Sequence, residues 1–530
     1  MSTSRLQPQL LRKTIQEVHK AISNNDLDIT SLCRNSLQVV EDTRHLNAFI
    51  TTCQDEAVKK AEDLDRHLLD KTAVLEDSLY GIPISIKDSF CIESVLTTCG
   101  SRMLHNFIPQ YTATAVKKLL ESKSIIIGKT NMDEFAMGSS SMTSYYGPCA
   151  NQFNSTTLVG KSPETFSDCP NWYLAGGSST GSAVSVSIGA CFASLGTDTG
   201  GSTRQPASWT GVVGFKPTYG LISRYGLIPL AHCMDVVSIL ARRVEDVETV
   251  FSTIVGEDDN DLTTVDHKQE LKSPIRLQSR YSEKIKIRIG VPRRFMERTD
   301  VSTQVSNRFD EIVSVASNVN ITDNFEIEFK DIDLPHSYLA SECYTIISSA
   351  EIASNMSCYD GVKYGFASTL NSQDDFNRDN FFMKNRDLAF GSEVKKRILL
   401  GNYFLMEGNK EKYLVQAQKL RNMIKTEFDR IFCEQSIDII LMPSTPTTSV
   451  PLKTWLNKQE QNRLFYEDYF LIPANLANVP SISLPCGLSA ENLPIGVQLV
   501  GSRYHDLDLL TVSKLFQDHI LPRFGQYTYQ

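Results

Sequence analysis

The segment Ala175–Pro206, AGGSSTGSAVSVSIGACFASLGTDTGGSTRQP, constrains this chain more than any other stretch. Two Gly-Gly-Ser turns bracket a run of almost exclusively small residues, which reads as a helix whose neighbours can approach its backbone closely. Glycines ahead of a serine also let backbone N–H groups converge on one point, the construction an oxyanion hole requires. Each turn can therefore hold a nucleophile, and the question becomes which residue serves as its base.

Three familiar patterns compete. Gly177-Ser178-Ser179-Thr180-Gly181 fits G-x-S-x-G and would make Ser179 the nucleophile of an α/β-hydrolase elbow. That elbow follows a hydrophobic strand, and Pro170-Asn171-Trp172-Tyr173-Leu174-Ala175 is a poor one. Gly128-Lys129-Thr130 resembles the end of a phosphate-binding loop, but Lys123 stands where the motif needs its earlier glycine. His232 and His505 are the nearest histidine bases, and isolated histidines more often fill structural roles.

Lys87 remains, at the end of the apolar run Gly81-Ile82-Pro83-Ile84-Ser85-Ile86. A lysine closing a strand is ordinarily a solvated cap. With an unperturbed pKa near 10.4, only about 0.04% of it is neutral at pH 7. To act as a base it must be desolvated, which lowers a lysine pKa by up to about 3 to 5 units. A carboxylate at Asp88 opposes that shift, but successive side chains of an extended segment point to opposite faces, so Asp88 is expected to face away from Lys87.

GIPISIKD, GGSSTGSA and GTDTGGSTRQPA occur in that order, and together they resemble the amidase signature family of Ser-Ser-Lys hydrolases. The likeness continues through GKTNMDEFAMGS at Gly128–Ser139 and GVVGFKPTYGLISRYGLIP at Gly211–Pro229. It implies an α/β fold, a large mixed β-sheet flanked by helices on both faces, and a catalytic group of Lys87, Ser178 and Ser202. The chemistry agrees. An amide is a poor electrophile, so its attacking serine needs a base and donors for the developing oxyanion. Ser202 attacks, Ser178 passes the proton, Lys87 accepts it, and backbone N–H groups of Thr199, Gly200, Gly201 and Ser202 cradle the oxyanion. The relay run backwards protonates departing ammonia, and water then hydrolyses the acyl-enzyme. One departure is Thr180, where the family has glycine; a positive φ there would carry strain.

The carboxy-terminal half bears on which amide is cut. Cys343–Asn355, YDGVKYG at Tyr359–Gly365, GSEVKKRILLG at Gly391–Gly401 and FYEDYFLIPANLANVP at Phe465–Pro480 resemble the glutaminase subunits of the glutamyl-tRNA(Gln) amidotransferases. On that resemblance Tyr344, Arg397 and Asp468 grip free glutamine; a zwitterion needs a cation for its carboxylate and an anion for its ammonium. Taken singly, Arg397 is a surface arginine of the basic run Lys395-Lys396-Arg397 and Asp468 a helix-side acid in Glu467-Asp468. The resemblance further implies a heterotrimer with B and C subunits, the B subunit binding Glu-tRNA(Gln) and using ATP and Mg, with no cofactor and no metal in this chain. Alternatives are a free-standing amidase of a small or acyl amide, and an inactive scaffold that would have no use for all three catalytic residues.

Composition sets the remaining limits. With 53 basic and 62 acidic residues the chain carries a net charge of −9, which disfavours direct capture of a polyanion. That balance is consistent with leaving tRNA to a partner. Twelve cysteines without a C-x-x-C pair point to a reduced compartment and no zinc cluster. Ala183–Leu195, the most apolar run, is broken by serines and too short to span a membrane. No long linker divides the 530 residues, so a single amidase domain over 1–530 is expected, with the signature core at about 80–250. The polar stretch Asn151–Asn171 reads as an inserted loop. That loop resembles the organellar form of the family, implying the mitochondrial matrix. Met1–Lys20, with Arg5, Arg12, Lys13 and Lys20 against Glu17, fits either a weak import leader or a surface helix buried through Leu10, Leu11, Ile15, Val18 and Ile22. Strands are expected at Gly81–Ile86, Ser124–Ile127, Ile285–Val291, Ile437–Met442 and Ile495–Val500, and helices at Lys117–Ser122 and Glu411–Phe432.

Overall fold

The computed structural model describes residues 13–69, 78–153, 172–271, 285–297, 300–318, 325–368, 378–456 and 467–525. Its strands are β1 Phe49–Thr52, β2 Pro83–Lys87, β3 Ile125–Thr130, β4 Ala193–Asp198, β5 Val213–Lys216, β6 Val236–Ala241, β7 Ile285–Val291, β8 Phe325–Asp331, β9 Ile439–Pro443, β10 Ser481–Leu488 and β11 Pro494–Gly501. They form one sheet in the order β1-β3-β2-β4-β6-β5-β10-β11-β9-β7-β8. β2 lies parallel to β3 and β4, and β7 parallel to β8 and β9, while the other pairs are antiparallel. The sheet is mixed, as expected, and both faces are covered. In β9, Ile439 and Leu441 enter one hydrophobic core while Ile440 and Met442 enter another, as the two-residue period of a strand requires.

All five expected strands are present, with ends shifted by a residue or more except at β7. The helices at Lys117–Ser122 and Glu411–Phe432 run over Thr114–Glu121 and Leu414–Cys433. One expectation changes. The small-residue run between the Gly-Gly-Ser turns is a helix only over Thr180–Ser187; Gly189 takes φ +78 and the chain re-enters the sheet as β4. Every residue of β4 is buried, so it lacks the polar–apolar alternation that marks a half-exposed strand. Thr180 begins the helix without a positive φ, and its hydroxyl donates to Gly176 O at 2.8 Å, so the glycine-to-threonine departure carries no strain.

The amino-terminal helix Ile15–Ser23 starts in a capping box of Thr14 and Glu17 and buries Ile15, Val18 and Ile22. Leu10, Leu11 and the basic residues Arg5 and Arg12 lie outside the described residues. So does the polar insertion from residue 154 to 171. Among the described residues no helix is long and apolar enough to cross a membrane, and no cluster of His, Cys, Asp and Glu could hold a metal ion.

The topology places the chemistry at one end of the sheet. β2 and β4 run parallel side by side, Ile86 opposite Leu195. Their carboxyl ends deliver Lys87 and the Thr199–Thr203 turn to the same crevice, the usual site for ligands beside parallel strands.

Candidate active site

Lys87 is completely buried. Its Nζ lies 2.8 Å from Ser178 Oγ, 2.9 Å from Ser179 Oγ and 2.7 Å from Thr197 Oγ1. Burial pushes its pKa down to about 7, partly opposed by Asp133, Asp198 and Asp235. Asp88 is not among its neighbours. As its position on an extended strand requires, Asp88 faces away, pairing with Lys129 at 3.0 Å and accepting from Thr98. Lys129, the lysine of the loop-like GKT triplet, is thus a buried structural cation of β3.

Three hydroxyls around one nitrogen distinguish two protonation states. An ammonium donates to all three, whereas a neutral amine has two N–H donors and one lone pair, so one hydroxyl must donate back. Ser179 is poorly placed for that: its hydroxyl lies 3.1 Å from Thr197 O as a donor, and its Oγ accepts Thr197 N–H at 3.2 Å. Ser178 Oγ makes no second hydrogen bond to a described residue, so its proton is free to turn toward Lys87. The sequence motifs therefore place two serines on the lysine, and of those two Ser178, like Thr197, has a hydroxyl with no other bond to a described residue.

Ser202 is half-buried on the turn after β4. Its carbonyl accepts Ser179 N–H at 2.9 Å, which locks the two serine turns together. Ser202 Oγ makes no hydrogen bond to a described residue, so the direct link from Ser178 Oγ to Ser202 Oγ expected of a relay is not formed here. Such links often tighten only in a substrate complex. The turn itself is held from beneath. Asp198 accepts the N–H groups of Gly201 (3.0 Å), Thr203 (3.2 Å) and Arg204 (3.3 Å) and pairs with buried Arg204 at 2.8 Å. Burial raises the Asp198 pKa, but the Arg204 guanidinium, Lys216 and the Asn475 amide together outweigh it and hold the carboxyl well below the usual range. Gly201, expected as an oxyanion donor, has already given its N–H to Asp198. The N–H groups of Thr199, Gly200 and Ser202 bond to no described residue and are free to donate to a bound group.

The carboxy-terminal residues converge on the same turn. A Cβ at Gly200 would lie 2.9 Å from the Tyr344 ring, and one at Gly201 would lie 2.9 Å from Asp468 Oδ1. Both glycines therefore make room for these side chains. Burial raises the Tyr344 pKa, and the neighbouring Arg397 guanidinium opposes the shift. Asp468 is pushed well above the ordinary carboxylate range by burial and by repulsion from Asp198 and Glu467, against the attraction of Arg204 and Arg397. Its Oδ1 is buried without a hydrogen-bond partner. Arg397 stands 3.9 Å from Glu393 and stays about one-fifth exposed. Of the alternative bases, His505 is engaged by Asp508 at 2.8 Å and His232 is exposed.

Residues 31–510 match the family model "Amidase". The chain belongs to the amidase family. Its relatives within that family include the mitochondrial A subunit of glutamyl-tRNA(Gln) amidotransferase from Mus musculus, 38% identical over 520 residues covering 96% of this chain and 94% of the relative. The corresponding protein of Homo sapiens is 36% identical over 518 residues with the same coverage. Among solved structures, the A subunit of glutamyl-tRNA(Gln) amidotransferase from Thermotoga maritima superposes with a TM-score of 0.71 at 32% identity, covering 96% of this chain and 94% of that one. The resemblance read from the motifs, to amidase signature enzymes and within them to mitochondrial-type A subunits, is thus found across nearly the whole chain.

Three parts of this amidase site escaped sequence reasoning. Thr197 and Ser179 as partners of Lys87 carried no signal of their own. The Asp198–Arg204 pair did: an acid and an arginine six residues apart around Gly-Gly-Ser, which a buried turn tolerates only when they meet.

Proposed function

We propose that this protein hydrolyses glutamine through Ser202, Ser178 and Lys87 and supplies the ammonia to a partner, which amidates Glu-tRNA(Gln) to Gln-tRNA(Gln). The observation that carries the choice of glutamine is the buried, unpartnered Asp468 Oδ1 beside the nucleophile turn, with the Arg397 cation nearby. An α-ammonium is the partner Asp468 lacks, and an α-carboxylate suits the guanidinium. A neutral acyl amide would leave the buried Asp468 Oδ1 without a partner, a cost that an α-ammonium removes. With the ends held, the side-chain amide lies toward Ser202 and the free N–H groups of Thr199, Gly200 and Ser202.

The rest of the enzyme follows from the relatives' name, since a protein named as one component of an amidotransferase works beside others. Those are B and C subunits in a heterotrimer, with the B subunit holding Glu-tRNA(Gln) and using ATP and Mg. This chain contributes no cofactor. The complex works in the mitochondrial matrix, within the organelle named for the animal relatives.

Replacing either anchor tests the assignment. Arg397→Ala and Asp468→Asn are each expected to raise KM for glutamine about 30- to 150-fold, the loss of one charge-assisted contact of about 2 to 3 kcal/mol, with kcat changed far less. Steady-state glutaminase assays on the assembled complex read this directly. An unchanged KM in both variants, or a monomer that hydrolyses assorted amides but not glutamine, would return the site to a free-standing amidase.

A further inference from the structure

Both carboxylates of the Asp133-Glu134 pair in GKTNMDEFAMGS are buried, and Glu134 has no part in the chemistry above. Asp133 serves the serine turn: its N–H donates to Ser178 O at 3.3 Å, and its carboxylate accepts the N–H groups of Ser141 and Thr143. Glu134 points the other way, accepting Ser101 Oγ at 2.5 Å and the N–H of Gly391 at 2.8 Å. Gly391 is the N-cap of the helix Ser392–Leu405, which carries Arg397 and has no side-chain cap of its own.

We propose that Glu134 is a positioning residue for glutamine binding: from the catalytic core it caps the helix Ser392–Leu405 and thereby sets where Arg397 stands. The proposal rests on the glutaminase reading. A carboxylate on the N-cap N–H does here, from 257 residues away, what the third helical residue does within a capping box. Burial raises the Glu134 pKa to about 7; its ionised form also suits the positive end of the helix dipole. Gly391 lacks the Cβ that would collide with Glu134 Oε2. At the far end of the same helix, Gly401 lacks the Cβ that would collide with Ser349 O on the helix Ala340–Asn355, the helix of Tyr344. The Arg397 helix is therefore pinned at two points, Glu134 before the arginine and Ser349 after it. Arg397 lies six residues from the cap, about 9 Å along the axis. A tilt released at the cap moves it relative to Tyr344 and Asp468 while Lys87, Ser178 and Ser202 stay in place.

The test is steady-state kinetics with glutamine on the assembled complex. Glu134→Ala is expected to raise KM at least tenfold while kcat stays within threefold. Glu134→Gln, which keeps an acceptor for Gly391 N–H and offers an amide donor to Ser101, is expected to bring KM back to within threefold of the unmodified protein. In an Arg397→Ala background, Glu134→Ala is expected to add nothing further to KM, because two residues acting on one contact are not additive. A Glu134→Ala protein with unchanged KM, one losing kcat alone, failure of glutamine at 134 to rescue, or full additivity with Arg397→Ala overturns the proposal. Should Glu134→Ala fail to fold, Gly391→Ala decides: it wedges the cap away from an intact Glu134, and a KM rise supports the proposal while an unmoved KM overturns it. Absence of glutamine hydrolysis by the unmodified complex would sink the glutaminase reading and this inference with it, whereas activity with an unmoved KM in the variants sinks the inference alone.

Discussion

Ser202→Ala is expected to abolish glutamine hydrolysis, by about 10⁴- to 10⁶-fold as for loss of a nucleophile in other serine hydrolases, while the protein stays folded. The hydroxyl bonds to no described residue and sits half-exposed, so its removal is expected to change stability by no more than about 0.5 kcal/mol. Arg397, Asp468 and Tyr344 are untouched, so glutamine still binds. Supplying ammonium salts to the assembled complex then restores Gln-tRNA(Gln) formation, because only the source of ammonia has been lost. Ser179→Ala supplies the contrast. It removes one of three hydroxyls around Lys87 but not the one able to relay a proton, and about 1.5 kcal/mol for that bond is about tenfold in rate. The reverse ranking would make Ser179 the nucleophile.

Lys87→Met is expected to be nearly as damaging as loss of Ser202. Methionine keeps most of the buried volume and removes the lone pair that accepts the proton. Residues that act as one unit fail together, so the Ser202→Ala, Lys87→Met double variant is expected to be no worse than either single one. Either change removes the partner of the Ser178 and Thr197 hydroxyls, while Ser179 keeps its bonds to Thr197; Lys87→Ala adds a cavity, which costs about 2 to 5 kcal/mol of stability on top of the activity. Comparing the two by thermal unfolding separates the base from the packing. A Lys87→Met enzyme within tenfold of the unmodified rate would leave the lysine a structural role.

How much of this was legible in the chain differs by region, for physical reasons. The Gly-Gly-Ser turns could be read because a nucleophile turn needs glycine locally, whereas Lys87, which alone looks like a solvated strand cap, was legible only from its motif in order with the two serine motifs. The strand at Ile285–Val291 was readable from its alternating isoleucines, whereas β4 was not, because a strand buried on both faces shows no alternation. The orientation of Asp88 followed from the two-residue period of β2. The proposed substrate anchors could not be derived from their own surroundings. Arg397 sits in a basic run that looks solvated, and Asp468 beside Glu467 looks like an ordinary acid. Only folding brings the latter to within reach of Gly201, from 267 positions further along the chain. The loss of Gly201 as an oxyanion donor likewise depends on where the Asp198 carboxylate turns, a side-chain choice that spacing does not reveal.

The most direct test of a buried, uncharged Lys87 is the pH dependence of kcat at saturating glutamine. On the proposed binding mode Asp468 is paired with the ammonium in the enzyme–substrate complex, so kcat is expected to be free of its titration, which is carried by kcat/KM. Protonated Lys87 cannot accept a proton, so kcat is expected to be lost as pH falls through about 7 and to level off above it. An acid limb near 7 is the predicted result. A limb displaced toward 10, where a solvated lysine titrates, or a flat profile between pH 5.5 and 8.5, would contradict the account.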